Sequence, residues 1–284
     1  MAIFTNQATL SYNNTITTSN IVTGEVLEVL SATKNSLDSQ YRYNDTITYI
    51  ISINNTGITA FNGLTLTDDL GTYTTGGLTL TPLTYEANTA AYYINGVLQP
   101  IPAVTAGPPL VINNINVPAG GNAIILYEAR VNQYAPLAIG STIVNNAEIS
   151  GSGLTTPIEI THTVTVTEEA RLSITKNLSP ETVAENGQLT YTFTIQNIGN
   201  IPAIATDNVT ITDVFNPILD NITVTLNGTV LTTPAQYAYD DTTGVFQTVA
   251  GVITVPVATF TQDAITGLWN IVPGVSVLNV TGTV

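Results

Sequence analysis

Two lysines stand at matching places in the chain, each in a Thr-Lys-Asn triplet: Lys34 and Lys176. Two aspartates, Asp68 and Asp213, close matching later runs, Leu64-Thr65-Leu66-Thr67-Asp68 and Val209-Thr210-Ile211-Thr212-Asp213. Side-chain amides complete the sets: Asn146 (or its neighbour Asn145) in one case, Asn6 (or Gln7) in the other. A neutral lysine amine can attack a carboxamide carbon with a carboxylate assisting, and burial favours the neutral amine. Lys34, Asp68 and Asn146, and likewise Lys176, Asp213 and Asn6, are therefore candidate partners for isopeptide bonds. The plainer reading is a lysine–aspartate ion pair at the rim of each domain.

Other chemistry finds little support. There is no cysteine, which excludes disulfides, a thiolate nucleophile and a cysteine zinc site. The one histidine, His162, lies in the strand-like stretch Thr161-His162-Thr163-Val164, where a strand-face role is commoner than a metal or general-base role. Asp68-Asp69 and Asp240-Asp241 lack the ordered oxygen-ligand spacing of a calcium loop and read as solvated turns. No glycine loop for phosphate and no nucleophile elbow is present. Trp269 could stack on a sugar, but a lone tryptophan more often fills a core or an interface. The expectation is a non-enzymatic protein with no cofactor and no metal.

The elements that must position these residues are strands. Of 284 residues 44% are hydrophobic and only 9% charged, with helix-forming Lys, Arg, Glu and Gln scarce, so almost no helix is expected. The length suits two sandwich domains. A net charge of −15 with five basic residues excludes a nucleic-acid footprint and disfavours an anionic membrane surface. No apolar run is long enough for a membrane helix. Met1-Ala2-Ile3-Phe4-Thr5-Asn6 lacks the basic and apolar regions of a secretory signal peptide.

The chain repeats itself. Thr48-Tyr49-Ile50-Ile51-Ser52-Ile53-Asn54-Asn55-Thr56-Gly57 matches Thr190-Tyr191-Thr192-Phe193-Thr194-Ile195-Gln196-Asn197-Ile198-Gly199, with period-two alternation in both. Asn95-Gly96 and Asn227-Gly228 are hairpin signals, and Val117-Pro118-Ala119-Gly120 and Val272-Pro273-Gly274 are matching turns. The fold expected is all-β, two tandem immunoglobulin-like sandwiches: residues 27–170 and residues 171–284. The first copy continues into two further strands, around Ile143–Ser150 and Ile160–Val166, that have no counterpart after Thr283-Val284. Their match lies at the other end. Thr5-Asn6-Gln7-Ala8-Thr9-Leu10-Ser11 parallels Asn145–Ser150, and Ser19–Val26 leads into the first copy as Ile160–Glu169 leads into the second.

Residues 1–26 thus read as a donor arm carrying the final strands of a sandwich. An open sandwich edge is a template for a strand, and strand donation between chains is a known mode of β-augmentation. Ile3, Asn6, Ala8, Leu10, Ile21 and Val22 are the expected docking residues. The junction Glu168-Glu169-Ala170-Arg171 has no Gly- or Ser-rich linker, which favours donation to a neighbour over closure within one chain. Head-to-tail contacts of this kind propagate as filaments. The expectation is a self-assembling subunit of an extracellular fibre, with its anchoring partner unidentified. The alternative is a monomeric surface adhesin or carbohydrate-binding module.

Lys176-Asn177-Leu178-Ser179-Pro180, Gly187-Gln188-Leu189-Thr190-Tyr191, Asn197-Ile198-Gly199-Asn200, Ala203 and Val209–Asp213 resemble the DUF-eleven repeat of bacterial and archaeal surface proteins. The first copy departs from that pattern, with Asp45 at the glycine position and no proline after Asn35. The resemblance implies an immunoglobulin-like fold. The two-repeat plan is also similar to the structural subunits of clostridial spore appendages, which implies a spore or cell surface location after release by mother-cell lysis.

Overall fold

The computed structural model describes residues 2–26, 28–151 and 153–284. Among these, strands and turns account for the structure, with one 3-10 turn at Ala205–Asp207. The left-handed turn positions are occupied by glycine and asparagine, apart from Leu70, as their local energetics require.

Strands β1 (Ala2–Asn6) and β2 (Thr9–Tyr12) run outward, and β3 (Thr15–Thr18) and β4 (Val22–Val26) return, making one long antiparallel hairpin. It reverses at Asn13-Asn14, whose φ values of 46° and 62° suit a type I′ turn. The return strand carries an extra residue near Ser19. The Ser19 amide donates to the Ala8 carbonyl and the Ala8 amide donates to the Ser19 hydroxyl, both at 2.9 Å.

The first sandwich is built from β5 (Leu30–Ser36), β6 (Thr46–Asn55), β7 (Phe61–Asp68), β8 (Leu110–Val117), β9 (Asn122–Val131), β10 (Thr142–Ser150) and β11 (Ile158–Val166). One sheet runs β9-β6-β5, extended past β9 by the short strands Ala91–Ile94 and Val97–Gln99. The facing sheet runs β8-β7-β10-β11, with Val104–Thr105 and Gln40–Tyr41 at its edges. Period-two alternation turns Ile47, Tyr49, Ile51 and Ile53 of β6 inward, where they are fully buried. Leu64 and Leu66 of β7, Ile112 of β8 and Ile143 and Ile149 of β10 close the core from the other sheet. Each such side chain contributes about 1.5–3 kcal/mol by leaving water. At the far edge β11 packs against β5, and the Ser36 hydroxyl lies 2.8 Å from His162 Nε2.

The second sandwich uses β12 (Leu172–Ser179), β13 (Gln188–Asn197), β14 (Thr212–Val214), β15 (Asp220–Leu226), β16 (Tyr237–Tyr239), β17 (Val245–Thr248) and β18 (Gly274–Thr283). Its larger sheet, β12-β13-β18-β15, reproduces the β5-β6-β9 arrangement. Its other sheet has three strands, β14-β17-β16, with β14 at the edge. Phe193, Ile195, Phe215, Val224, Phe246, Leu278 and Val280 form a separate core. Asn95-Gly96 and Asn227-Gly228 adopt the left-handed conformations of hairpin turns, as their sequences predict.

The sandwiches meet at a firm junction. The Arg42 guanidinium makes two 2.9 Å bonds to the Glu169 carboxylate. Asn200 Nδ2 donates to the carbonyls of Thr167 (3.0 Å) and Leu137 (3.2 Å), and Asn200 Oδ1 accepts from the Glu169 amide at 3.0 Å. The hairpin Thr259–Val272 adds the Trp269 indole on the Tyr134 carbonyl (3.3 Å) and Gln262 Nε2 on the Tyr73 hydroxyl (2.9 Å). Trp269 is therefore half-buried at an interface.

Candidate functional site

The two lysine sites are built on the same frame but sit in different surroundings. In the first sandwich, Lys34 on β5 and Tyr127 on β9 come from one sheet, and Asp68 on β7 and Asn145 on β10 from the other. All four side chains are buried. Lys34 Nζ donates to Asp68 Oδ2 at 2.7 Å, and the Tyr127 hydroxyl donates to the same oxygen. Asp68 Oδ1 accepts the Leu70 amide at 2.9 Å. Asn145 Oδ1 accepts the Gly71 amide at 3.1 Å, and Asn145 Nδ2 donates to the Tyr127 hydroxyl at 3.4 Å. Tyr49 stacks on Tyr127 with ring centres 5.4 Å apart and walls the site. Burial pushes the Lys34 pKa below its ordinary value despite the Asp68 charge, and burial pushes the Tyr127 phenol far above its own.

Asn146 is not part of this cluster. Strand alternation turns it outward, where its amide groups bond the Asp69 carboxylate (2.9 Å) and the Thr161 hydroxyl (2.9 Å). Asn145, in phase with Ile143, Ala147 and Ile149, is the residue that faces Lys34's partners. Asp68 and Asp69 are occupied by Lys34, Tyr127, Asn146 and backbone amides rather than arranged around a cation site. His162 lies on the β11 face against Ser36 and edge-on to Tyr49, and desolvation followed by the Lys34 charge holds its pKa low.

In the second sandwich the Lys176–Asp213 contact recurs, but both side chains are partly open to solvent. Lys176 Nζ sits 4.4 Å from the centre of the Tyr191 ring, and Phe215 stacks on Tyr191 at 4.9 Å. Val280 occupies the register position of Tyr127, so the Tyr127 phenol has no counterpart here. The exposure has a structural cause. In the first sandwich β10 pairs with β7 and β11 covers β5. In the second, among the described residues, β14 pairs on one side only, with β17. The inward face of β12 is left uncovered: Leu172 is 39% exposed where its counterpart Leu30 is 7%, and Ile174 is 53% exposed. A half-paired strand edge beside an apolar row is a docking template.

The N-terminal hairpin has the complementary pattern. Counting from the matched asparagines, Phe4, Asn6, Ala8 and Leu10 fall in phase with Ile143, Asn145, Ala147 and Ile149. Phe4 packs over Gly24, the residue opposite it on β4, where any Cβ would meet the ring. Val22 stands opposite Asn6, as His162 stands opposite Asn145. Leu10 is 61% exposed, and Phe4, Tyr12, Ile21 and Val22 are also exposed. Ile3 stands on the opposite face of the hairpin, across from Glu25. Phe4, absent from the expected docking residues, falls on the same face as Asn6, Ala8 and Leu10, and counting in twos back from Asn6 finds it.

No protein-family model and no curated relative matches the sequence. Solved structures similar to it include the major pilin subunit of Bacillus cereus, at 12% identity and a TM-score of 0.40, covering 94% of this chain and 70% of that one. The pilus backbone protein of Streptococcus pneumoniae matches at 12% identity and a TM-score of 0.35, covering 86% of this chain and 54% of that one. A family 123 glycoside hydrolase from Clostridium perfringens matches at 12% identity and a TM-score of 0.30, covering 48% of this chain and 27% of that one.

Proposed function

We propose that the chain is the structural, non-enzymatic subunit of an extracellular fibre, a spore-appendage or pilus-like filament. In it the N-terminal hairpin of one copy completes the second sandwich of the next. The observation that carries this reading is the match, among the described residues, between an uncovered β12 face beside a β14 edge paired on one side and a hairpin of matching phase whose strands pair only with one another. Transferring the first sandwich's register gives the contact in detail. Ala147 lies opposite Asp68 and Ile149 opposite Leu66, so Ala8 takes its place opposite Asp213 and Leu10 opposite Ile211. The β3–β4 half then covers β12 as β11 covers β5. The contact is heterologous and head-to-tail, so it extends into a filament unless rotation closes a ring.

Donation to a second copy is favoured over closure within one chain. The hairpin joins β5 through residues 27–29, and the junction at Arg42, Glu169 and Asn200 holds the two sandwiches together. Main-chain pairing provides the affinity and the alternate side chains provide the register.

Negative-stain imaging of the full chain beside a version lacking residues 1–26 tests the reading. Fibres from the first and none from the second are expected, with an added peptide of residues 2–26 binding the shortened chain. Monomers from the full chain would overturn fibre formation. The monomeric adhesin or sugar-binding module would then take precedence, with glycan arrays as its test.

A further inference from the structure

We propose that Lys34 and Asn145 join by an autocatalytic amide bond across the first sandwich, and that Lys176 and Asp213 are the waiting half of the same site, completed by Asn6 of a second copy. The second clause rests on the proposed strand donation; the first is independent of it.

The first site holds what the condensation needs and little else. Lys34 Nζ is the nucleophile, enclosed in a low-dielectric core whose burial favours its neutral form. Asp68 Oδ2, 2.7 Å from Nζ, is placed to take the amine proton. Asn145 supplies the electrophilic carbon, and the Gly71 amide already points at Oδ1, where negative charge develops on attack. Tyr127 ties the Asp68 carboxyl to Asn145 Nδ2, the departing nitrogen. The step balances without any co-reactant. Nζ–Cγ forms, Cγ–Nδ2 breaks, Asp68 relays a proton from Nζ to Nδ2, and ammonia leaves. The bond ties the first strand of one sheet to β10 of the other.

A buried ion pair is a weak source of stability, because desolvating two charges offsets their attraction. Lys34–Asp68 alone would be a costly ornament in a sandwich with an ample apolar core. A carboxamide fixed beside the pair by its own oxyanion donor gives the charges a use. In the second sandwich Asp213 is held by Lys176 and by the Val214 amide, and the carboxamide is the missing component. Asn6 reaches that place when Phe4, Ala8 and Leu10 take the positions of Ile143, Ala147 and Ile149.

The test is the intact mass of the denatured full chain, with peptide mapping. Unassembled chain is expected to be lighter than its sequence by about 17 Da, the ammonia released per bond. Its digest should hold a branched peptide joining Lys34 to Asn145. Asn145→Ala and Asp68→Ala should each restore the full mass, with circular dichroism confirming that they fold. Fibres boiled in detergent should run as a ladder and yield a peptide joining Lys176 to Asn6. An unshifted mass in folded chain overturns the first bond. Fibres that dissolve to monomers lacking one ammonia overturn the second while leaving strand donation standing. Absence of fibres overturns strand donation and with it the second bond, and the monomer mass still decides the first.

Discussion

Truncating Leu10 separates a docked hairpin from a free one. Leu10 is 61% exposed in the hairpin, whereas Ile149, the residue in the same phase of β10, is 0% exposed. Docking in the transferred register therefore buries more than half of the Leu10 surface. Full burial of such a side chain stabilises by about 1.5–3 kcal/mol, and a truncated core residue also leaves a cavity. Leu10→Ala should weaken docking by about 2–3 kcal/mol, a rise in Kd between about 30- and 150-fold. Ile3 is the control: it is 74% exposed, and its phase partner Thr142 is exposed in the finished sandwich, so Ile3→Ala should change Kd less than about threefold. The assay is calorimetric binding of a peptide of residues 2–26 to chain lacking them. Every peptide carries Asn6→Ala so that binding stays reversible. Because no described hairpin residue belongs to either core, the same substitutions in the unassembled full chain should leave its thermal midpoint unchanged. Equal effects at positions 3 and 10, or none at 10, would refute the register.

Asp68→Ala strands the buried Lys34 without a partner, so Lys34→Met/Asp68→Ala should be more stable than Asp68→Ala alone by about 1–3 kcal/mol in urea unfolding. His162 has a folded pKa depressed by burial and by Lys34, so its contribution is present above the unfolded pKa and is lost as pH falls from there through the folded pKa. The thermal midpoint of the native chain should drop between about pH 7.5 and pH 5.5, and His162→Gln should flatten that slope. Asn200→Ala leaves the Thr167 and Leu137 carbonyls and the Glu169 amide without their partner, costing about 1–3 kcal/mol and opening residues 167–171 to limited proteolysis. With a net charge of −15 on each copy, added salt up to about 0.15 M should accelerate fibre growth followed by light scattering, since repulsion between bodies is screened.

Much of this architecture is legible in the residues. The alternation of Tyr49, Ile51 and Ile53 announces a half-buried strand, and Asn95-Gly96 and Asn227-Gly228 announce hairpins. The match proposed between Asn6 and the asparagines of β10 rests on the same kind of period, carried by Phe4, Ala8 and Leu10. Parity is the finer point. Asn145 and Asn146 are chemically identical, and the alternation of Ile143, Ala147 and Ile149 around them turns Asn145 inward. Length matches also conceal shape. Val209–Asp213 repeats the residues of β7, yet β14 covers only Thr212–Val214, since a strand paired on one side alone has half the ladder to hold it. The three extra residues between the copies are absorbed around the 3-10 turn at Ala205–Asp207, a local solution that no periodicity encodes. Phe215 stacking on Tyr191 where Tyr127 stacks on Tyr49 is a tertiary substitution, visible only once the two cores are superposed in register.

The distribution of charge fits the division of labour between body and arm. Of twenty acidic residues, residues 2–26 contain one, Glu25, and they contain no lysine or arginine. The body therefore repels its copies, which keeps free subunits soluble, while the arm brings almost no charge to an acidic neighbour. Its β1 and β2 segments carry Thr5, Gln7, Thr9 and Ser11 on the face away from Leu10, a polar row interrupted by Ile3 and by Ile16 opposite Ser11. A free two-stranded hairpin is marginal in water by itself. Such an element gains most from being covered, and the uncovered β12 face gains from the same event. In the proposed contact the two costs, an exposed arm and an open sandwich, are removed together.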